Sequence, residues 1–350
     1  MQSSVRVGIV GATGAVGVEL LELLERRNFP VGELRLLASA RSAGRRVAFR
    51  GEELEIRETR EAELSGLDYL FLCAGAEQSR TLGPLGVKAG AVVIDNSSAF
   101  RMDPEVPLVV PEVNPEALRG HGGLIANPNC STAITLMGLA PLHEAFGLEW
   151  MICSTYQAVS GAGAGGMEEL TAGVEAWQRG EEGPREVFPH PIAFNLLPHV
   201  DRFEPGGYTR EEHKMRDESR KILGLEGLPV SCTCVRVPVF RAHAISVTAN
   251  FREPVDRETA RAAVAAFPGA QLIDEPEANR YPLPLEVSGE MDCAVGRIRV
   301  DEALPNGLSL WVVGDQLWKG AALNALQIAE TLEAQADAAG VTVARHPSSD

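Results

Sequence analysis

The sequence predicts an α/β protein of two domains, a doubly wound parallel sheet followed by an α+β domain with a mixed sheet. Three observations lead there. A chain of 350 residues has material for about two domains, each with its own core. Short β-rich runs alternate with helix-compatible stretches from Val5 to Ala126, the pattern of βα units. From about Trp150 the character changes: longer β-rich runs follow, with fewer helices between them.

Val5–Val10 is the first β-rich run. It enters Gly11-Ala12-Thr13-Gly14-Ala15-Val16-Gly17, and an amphipathic stretch, Val18–Arg27, comes next. Strand, glycine turn and helix form the context in which a pyrophosphate meets a helix N-terminus, so a Rossmann-type dinucleotide-binding domain is expected. The spacing is G-x-x-G-x-x-G, so the context carries more weight than the pattern; an ordinary tight βα turn is the alternative. Leu34–Ala38 reads as the second strand. An NAD site usually ends that strand with an acid for the ribose hydroxyls. Here it runs into Ser39-Ala40-Arg41-Ser42-Ala43-Gly44, with Arg45 and Arg46 beyond. Hydroxyls and guanidinium groups suit a 2′-phosphate, which points to NADP over a merely solvated basic loop. Asp68–Ala74 and Ala91–Ile94 are further strands, and Ser79–Lys88 is a helix expected to break at Gly83-Pro84. Val106–Val110 and Leu124–Ala126 complete the series. Ligands of such sheets gather beyond the carboxyl ends of the strands, which groups Gly11–Gly14, Asn96–Arg101 and Asn127–Cys130 at one edge.

Asn127-Pro128-Asn129 is a turn signal, and the apolar run Ala133–Leu142 after it is helix-compatible. Cys130 therefore falls at a helix start, where backbone N–H groups and the dipole favour a thiolate. A lone cysteine is more often a buried structural one, so its neighbours must decide. Met151–Gln157 is a strand entering the glycine-rich Ala158–Gly166, with a helix over Met167–Gln178. Val230–Val239, Ile245–Phe251, Ala294–Val300 and Leu308–Val313 are strand-like, and Gly320–Ala338 is a final helix. The expected boundaries are residues 1–129 for the first domain, joined by 320–350, and 130–319 for the second. Glu211 and Lys214, in a helix capped by Thr209, share a face. Arg236 and His243 flank Val237–Ala242, and His243 is a candidate proton carrier. Their odd separation puts them on opposite faces of a straight strand, so a bend near Pro238 is expected.

Composition narrows the function classes. Hydrophobic and charged fractions of 45% and 23% are those of a globular protein, and a net charge of -16 argues against a nucleic-acid partner. Six scattered cysteines, at 73, 130, 153, 232, 234 and 293, suit a reducing compartment. The first apolar run is short and glycine-broken, unlike a signal peptide, and no run reaches membrane-spanning length, so a cytoplasmic protein without membrane contact is expected. Cys232 and Cys234 share a strand face and lack further ligands at zinc spacing; core packing is the reading, and no metal is expected. Cys73 and Cys153 are expected to be buried. His190 and His199 read as local hydrogen-bonding groups.

Taken together, these segments resemble the aspartate-β-semialdehyde dehydrogenase family. The similarity runs through Gly11–Gly17, Ser39–Gly44, Asn96–Arg101, Asn127–Ser131, Tyr156–Gly161, Phe188–Pro198, Arg236–His243 and Lys319–Asn324. The resemblance implies reduction of L-4-aspartyl phosphate by NADPH to aspartate semialdehyde and phosphate, in the biosynthesis of lysine, threonine, methionine and isoleucine. It implies Cys130 as the thioester-forming nucleophile and His243 as acid/base. Arg236 would hold the substrate carboxylate, and Gln157 and Glu211 would orient the substrate, Glu211 through its amine. Arg101, Asn129 and Lys214 would bind phosphate or the acyl phosphate. Gly11, Thr13, Gly14, Ala15, Val16, Ser39, Arg41, Ser42, Ser160, Gly161 and Gln316 would touch NADP; the last position is usually asparagine in the family. A homodimer or dimer of dimers, built on the second domain, is also implied. Two alternatives stand beside this reading: a reductase for N-acetyl-γ-glutamyl phosphate or a related acyl phosphate, and a non-catalytic NADPH-binding sensor.

Overall fold

A computed structural model describes residues 4–339. The chain forms two compact units: one takes the residues up to Pro128 and those from Ala321 onward, the other Asn129–Gly320. Residues 340–350, grouped above with the first domain, lie outside the described residues.

The first unit is built on a seven-stranded sheet. In chain order its elements are β1 (Val5–Val10), α1 (Ala15–Arg26), β2 (Val31–Ala38), β3 (Arg46–Phe49), β4 (Glu52–Glu58), β5 (Tyr69–Leu72), α2 (Ala76–Lys88), β6 (Val92–Asp95) and β7 (Leu124–Ala126). The strand order is β3-β4-β2-β1-β5-β6-β7, parallel throughout except for the β3–β4 hairpin at one edge. The central strands are apolar on both faces because helices cover both; every residue of β5 and β6 is buried. Gly11 has φ +84, and a methyl group there would stand 2.7 Å from the Cys73 carbonyl oxygen. Only glycine permits this turn and lets α1 start within the motif, three residues before the expected Val18. The C-terminal helix, Leu323–Ala339, is tied to this unit by Arg27–Glu330 (2.7 Å), by Tyr69 Oη to Glu333 (2.7 Å) and by Asn324 Nδ2 to the Val109 carbonyl (2.9 Å).

Three expectations for this unit change. α2 continues through Pro84. The proline removes one backbone donor, but Gly83 and Gly86 seat the helix closely on the side chains of Leu124 and Phe100 and of Leu70 and Val93, so packing outweighs the lost bond. The basic loop at Arg45-Arg46 runs directly into a hairpin whose second strand pairs in parallel with β2. Val106–Val110 contributes only a bridge, Leu108 to Ala126.

The second unit holds α3 (Cys130–Phe146), β8 (Leu148–Gln157), α4 (Ala164–Gln178), α5 (Arg210–Leu223), β9 (Val230–Arg236), β10 (His243–Phe251), α6 (Arg257–Ala266), β11 (Ala270–Leu272), the short α7 (Pro284–Val287), β12 (Cys293–Val300) and β13 (Gly307–Gly314). Its sheet is mixed, in the order β11-β12-β13-β10-β8-β9. α3 is apolar all round and almost wholly buried. It lies close on the sheet: a methyl on Gly138 would meet Val312 at 2.5 Å. β8 alternates, turning Met151, Cys153, Thr155 and Gln157 inward and leaving Ile152 and Tyr156 exposed.

Register sets the geometry of the site. In the parallel β8–β9 pair Gln157 faces Arg236. In the antiparallel β8–β10 pair Tyr156 faces Ala244, which puts His243 level with Gln157. Arg236, Gln157 and His243 therefore form one row across three strands. The parity problem posed by seven residues is resolved by a change of strand, not by a bend within one. Val237–Ala242 is the connection between β9 and β10, and Ala242 in it has φ +69.

Candidate active site

Cys130 is the first residue of α3, and Asn129 is its N-cap. The Asn129 side-chain oxygen accepts from the N–H groups of Ser131 (3.0 Å) and Thr132 (3.2 Å), which closes the helix start and aims it at the sulfur's surroundings. Asn129 is in turn gripped by α5. Its amide nitrogen donates to Glu211 Oε1 (2.9 Å) and its backbone N–H to Glu218 Oε2 (2.6 Å). α5 starts with a capping box of Thr209 and Glu212, so these carboxylates project from a well-formed helix. On the other side of Cys130 the chain returns in a π-turn, Trp318–Ala322. A methyl on Gly320 would come 2.6 Å from Cys130 Cβ, so glycine is what lets the backbone pass there.

Glu211 is the hub of the polar network. Besides Asn129 it accepts from Gln157 Nε2 (3.1 Å) and from Lys214 Nζ (3.0 Å), and Lys214 also meets Asp201 Oδ2 at 2.8 Å. Burial alone would raise the Glu211 carboxyl, but the Lys214 charge and the three donors hold it below the ordinary range. Burial opposes the charge on Lys214 too, and the two carboxylates still raise its pKa. The pair is therefore charged at neutral pH. Thr155 Oγ1 donates to Gln157 Oε1 (3.0 Å), which fixes the orientation of the glutamine amide.

Ala158 joins Arg236 to His243. Its carbonyl accepts from Arg236 Nη1 (2.7 Å), and its N–H donates to His243 Nδ1 (3.0 Å). Because a backbone N–H only donates, the neutral imidazole carries its proton on Nε2. That Nε2 is buried and has no hydrogen-bond partner among the described residues. Burial, and then the Arg236 charge, push the His243 pKa well below its ordinary value, so the ring is neutral. Arg236 is itself buried, lies over the Phe188 ring at 5.9 Å, and has its pKa lowered by that burial. Gly161 makes room for both heads: a methyl there would stand 2.8 Å from Arg236 Nη1 and 3.5 Å from His243 Nε2.

The second unit thus brings together Cys130, Asn129, Gln157, Glu211, Lys214, Arg236, His243 and Gly161. Ser160 and Gln316 stand beside them, hydrogen-bonded to each other. Arg101 belongs to the first unit, where it is buried and donates to the carbonyls of Asn127 (2.8 Å) and Asn96 (2.9 Å). Also in the first unit, a cavity of about 480 Å³ opens at the carboxyl ends of β1, β2 and β5. Gly11, Thr13, Gly14 and Ser39 line it; Ala15 and Val16 begin α1 beside it, and Arg41 and Ser42 follow in the turn after β2. Among the cysteines, Cys153, Cys232 and Cys234 are buried as expected, whereas Cys73, directly after β5 and lining that cavity, is half-buried, its thiol pushed up to about 12 by desolvation. His199 stacks on the Phe203 ring.

Sequence reasoning missed three contributors. Glu218 stands seven residues after Glu211, two turns on along the same face, and an acid at an apolar position of a helix was the available signal. Asp201, at φ +66, holds Lys214 and carries no local motif. Glu58 lines the cofactor-sized cavity from β4, opposite Ala38, and pairs with Arg60.

The chain is similar to known proteins over nearly its whole length. Residues 6–121 match the family model of the semialdehyde dehydrogenase NAD binding domain, and residues 139–319 that of the semialdehyde dehydrogenase dimerisation domain. The aspartate-semialdehyde dehydrogenase of Synechocystis sp. is 49% identical over 332 residues, covering 95% of this chain and 98% of the relative. That of Bacillus subtilis is 46% identical over 341 residues, covering 95% and 99%. The structure of aspartate semialdehyde dehydrogenase II from Vibrio cholerae complexed with ASA superposes with a TM-score of 0.91 at 42% identity, covering 94% of this chain and 98% of that one. The Candida albicans enzyme with NADP gives a TM-score of 0.74 at 25% identity, covering 95% and 99%. With relatives this similar over nearly its whole length, the chain belongs to the aspartate-semialdehyde dehydrogenase family.

Proposed function

We propose that this chain reduces L-4-aspartyl phosphate with NADPH to L-aspartate 4-semialdehyde and phosphate, through a thioester on Cys130. The observation that carries the reading is the row Arg236–Gln157–His243 beside a cysteine whose cap residue shares Glu211 with Gln157. Buried Arg236 supplies a planar fork for a carboxylate, and buried anionic Glu211 supplies an acceptor for a free amine; a short α-amino acid has both. Lys214, at the other oxygen of Glu211, offers positive charge to a phosphate. The Cys130 thiolate displaces phosphate from the acyl carbon, and the C–O bond to the leaving phosphate breaks as the C–S bond forms. NADPH, when bound, supplies the hydride that takes the thioester to the aldehyde level. His243, neutral with its proton on the unpartnered Nε2, donates that N–H as a hydrogen bond to the oxygen that gains charge; as the carbonyl re-forms, the C–S bond breaks and its electron pair returns to sulfur as the Cys130 thiolate.

The cavity of the first unit fits a dinucleotide: the glycine turn leaves the backbone bare where α1 begins, as a pyrophosphate requires. Arg41 and Ser42 support NADP over NAD. Exposed Ile152 and Tyr156, on a sheet that the dimerisation-domain model spans, support a homodimer or a dimer of dimers. No described helix is long and apolar enough to cross a membrane, and a cytoplasmic place in lysine, threonine, methionine and isoleucine biosynthesis follows from the proposed reaction.

The test is phosphate-dependent NADP reduction with aspartate semialdehyde, run beside N-acetylglutamate semialdehyde. Turnover is expected with the first alone, since the acetyl group removes the amine that Glu211 would meet. Cys130→Ala is expected to abolish turnover and to leave NADP binding intact. Activity retained in that variant would rule out the thioester.

A further inference from the structure

We infer that Gln316 is a positioning residue for His243, acting through the left-handed backbone of Ala242. Ala242 has φ +69, a conformation that residues with a Cβ rarely hold unless their surroundings impose it. It is fully buried, packed with Ala244, Val287, Ala294 and Val313. Its N–H donates to Gln316 Oε1 at 2.8 Å. The other end of the same amide, Nε2, donates to Ser160 Oγ. Gln316 is 2% exposed and both ends of its side chain are engaged within the protein.

The strut stands on a fixed base. Neighbouring Asp315 is fully buried and accepts from the N–H groups of Leu317 (2.9 Å), Trp318 (3.2 Å) and Gly289 (2.7 Å), and from the Arg241 guanidinium. Arg241 and Ala242 are thus held by two successive residues, Asp315 and Gln316. The far end of the strut reaches the loop after β8, which is bound to the same connection by Val159 N–H to the Val239 carbonyl (2.8 Å). That loop also provides the Ala158 N–H that fixes the tautomer of His243. One side chain therefore sets both the backbone that delivers the imidazole and the loop that orients it. Released from Gln316, Ala242 relaxes toward negative φ, and His243, the next residue, turns away from Ala158.

The inference rests on the reading of His243 as the proton-handling group, and the test separates the two. Steady-state kcat and KM are measured for Gln316→Met, Gln316→Glu, the double variant Gln316→Met/Ala242→Gly, and His243→Asn, with thermal unfolding to verify folding. Gln316→Met keeps the volume and removes the acceptor; it is expected to lower kcat about 10- to 100-fold, as misplacement of a catalytic group does, with KM for NADP little changed. Adding Ala242→Gly is expected to restore much of the loss, because glycine holds positive φ without help. Gln316→Glu keeps an acceptor for the Ala242 N–H and is expected to stay well above Gln316→Met in kcat. A rise in KM for NADP at unchanged kcat, or a double variant no more active than Gln316→Met, would make Gln316 a cofactor contact only and overturn the inference. Should Gln316→Met not fold, a kcat for Gln316→Glu reduced as far as that of His243→Asn overturns it equally. If His243→Asn keeps its kcat, the reading of His243 fails on its own.

Discussion

Ala158 accepts from Arg236 at its carbonyl and donates to His243 at its N–H, and these two bonds separate the work of the two side chains. Arg236 is a buried permanent cation, so in the proposed role it would attract a carboxylate equally before and during the reaction. His243 is neutral with a free Nε2–H, so its interaction strengthens only as an oxygen gains charge. Arg236→Leu is therefore expected to raise KM for aspartate semialdehyde strongly, as loss of uniform binding does. His243→Asn is expected to lower kcat by about 10²–10⁴ with a smaller change in KM. The measurement is both parameters for both variants; a His243→Asn that alters KM alone would move the acid/base role elsewhere. The residue types were legible in the sequence. Their convergence was not, because counting along one strand put them on opposite faces. Only the register of β9 and β10 against β8 shows that they stand level with Gln157.

α5 is the element on which the helix of the proposed nucleophile Cys130 is set. Its buried face carries Glu211, Glu212, Met215, Glu218, Ser219 and Ile222, so half of that face is carboxylate. Each carboxylate has a defined load: Glu211 and Glu218 hold Asn129, and Glu212 closes the cap and accepts from the Cys234 N–H (3.0 Å). Removing Glu218 leaves the Asn129 N–H buried without its acceptor. Glu218→Ala is expected to cost about 1–3 kcal/mol of stability, the penalty for an unmet buried donor, read from the urea midpoint. A loss under about 0.5 kcal/mol, the range of an inert surface site, would show that Glu218 does not hold the start of α3. The helix and its Thr209 cap were legible from local pattern. The use of its acids was not, since an acid read alone looks like a solvated face. The β3–β4 hairpin was hidden for a related reason: in Glu52–Glu58 only Ile56 is buried, and a charged edge strand reads as loop.

At the scale of the molecule, the parallel sheet of the first unit was legible because its strands are short continuous apolar runs, and the glycine turn marked where the ligand end begins. Cofactor choice was read there from an absence, the missing acid after β2. The fold supplies an acid by another route: Glu58 ends β4, pairs in register with Ala38, and lines the same cavity as Ser39. A long-range parallel pairing across a hairpin has no local signature, so the sequence could not place it. Glu58 is ion-paired with Arg60, and its charge is therefore partly met before any ligand arrives. On the proposed NADP reading, selection for a 2′-phosphate would fall on the cations of the turn after β2, where Arg41 is exposed and follows the cavity-lining Ser39 and Ala40. A charge-assisted contact to phosphate is worth about 1.5–3 kcal/mol. Arg41→Ala is accordingly expected to weaken NADP binding about ten-fold or more, at about 1.4 kcal/mol per decade, and to leave NAD nearly unchanged, by titration of each cofactor. Equal losses for both would mean that Arg41 steadies the turn without reading the 2′-phosphate. No loss for either would shift that role to another cation, with Arg60, ion-paired to the cavity-lining Glu58, the first to vary.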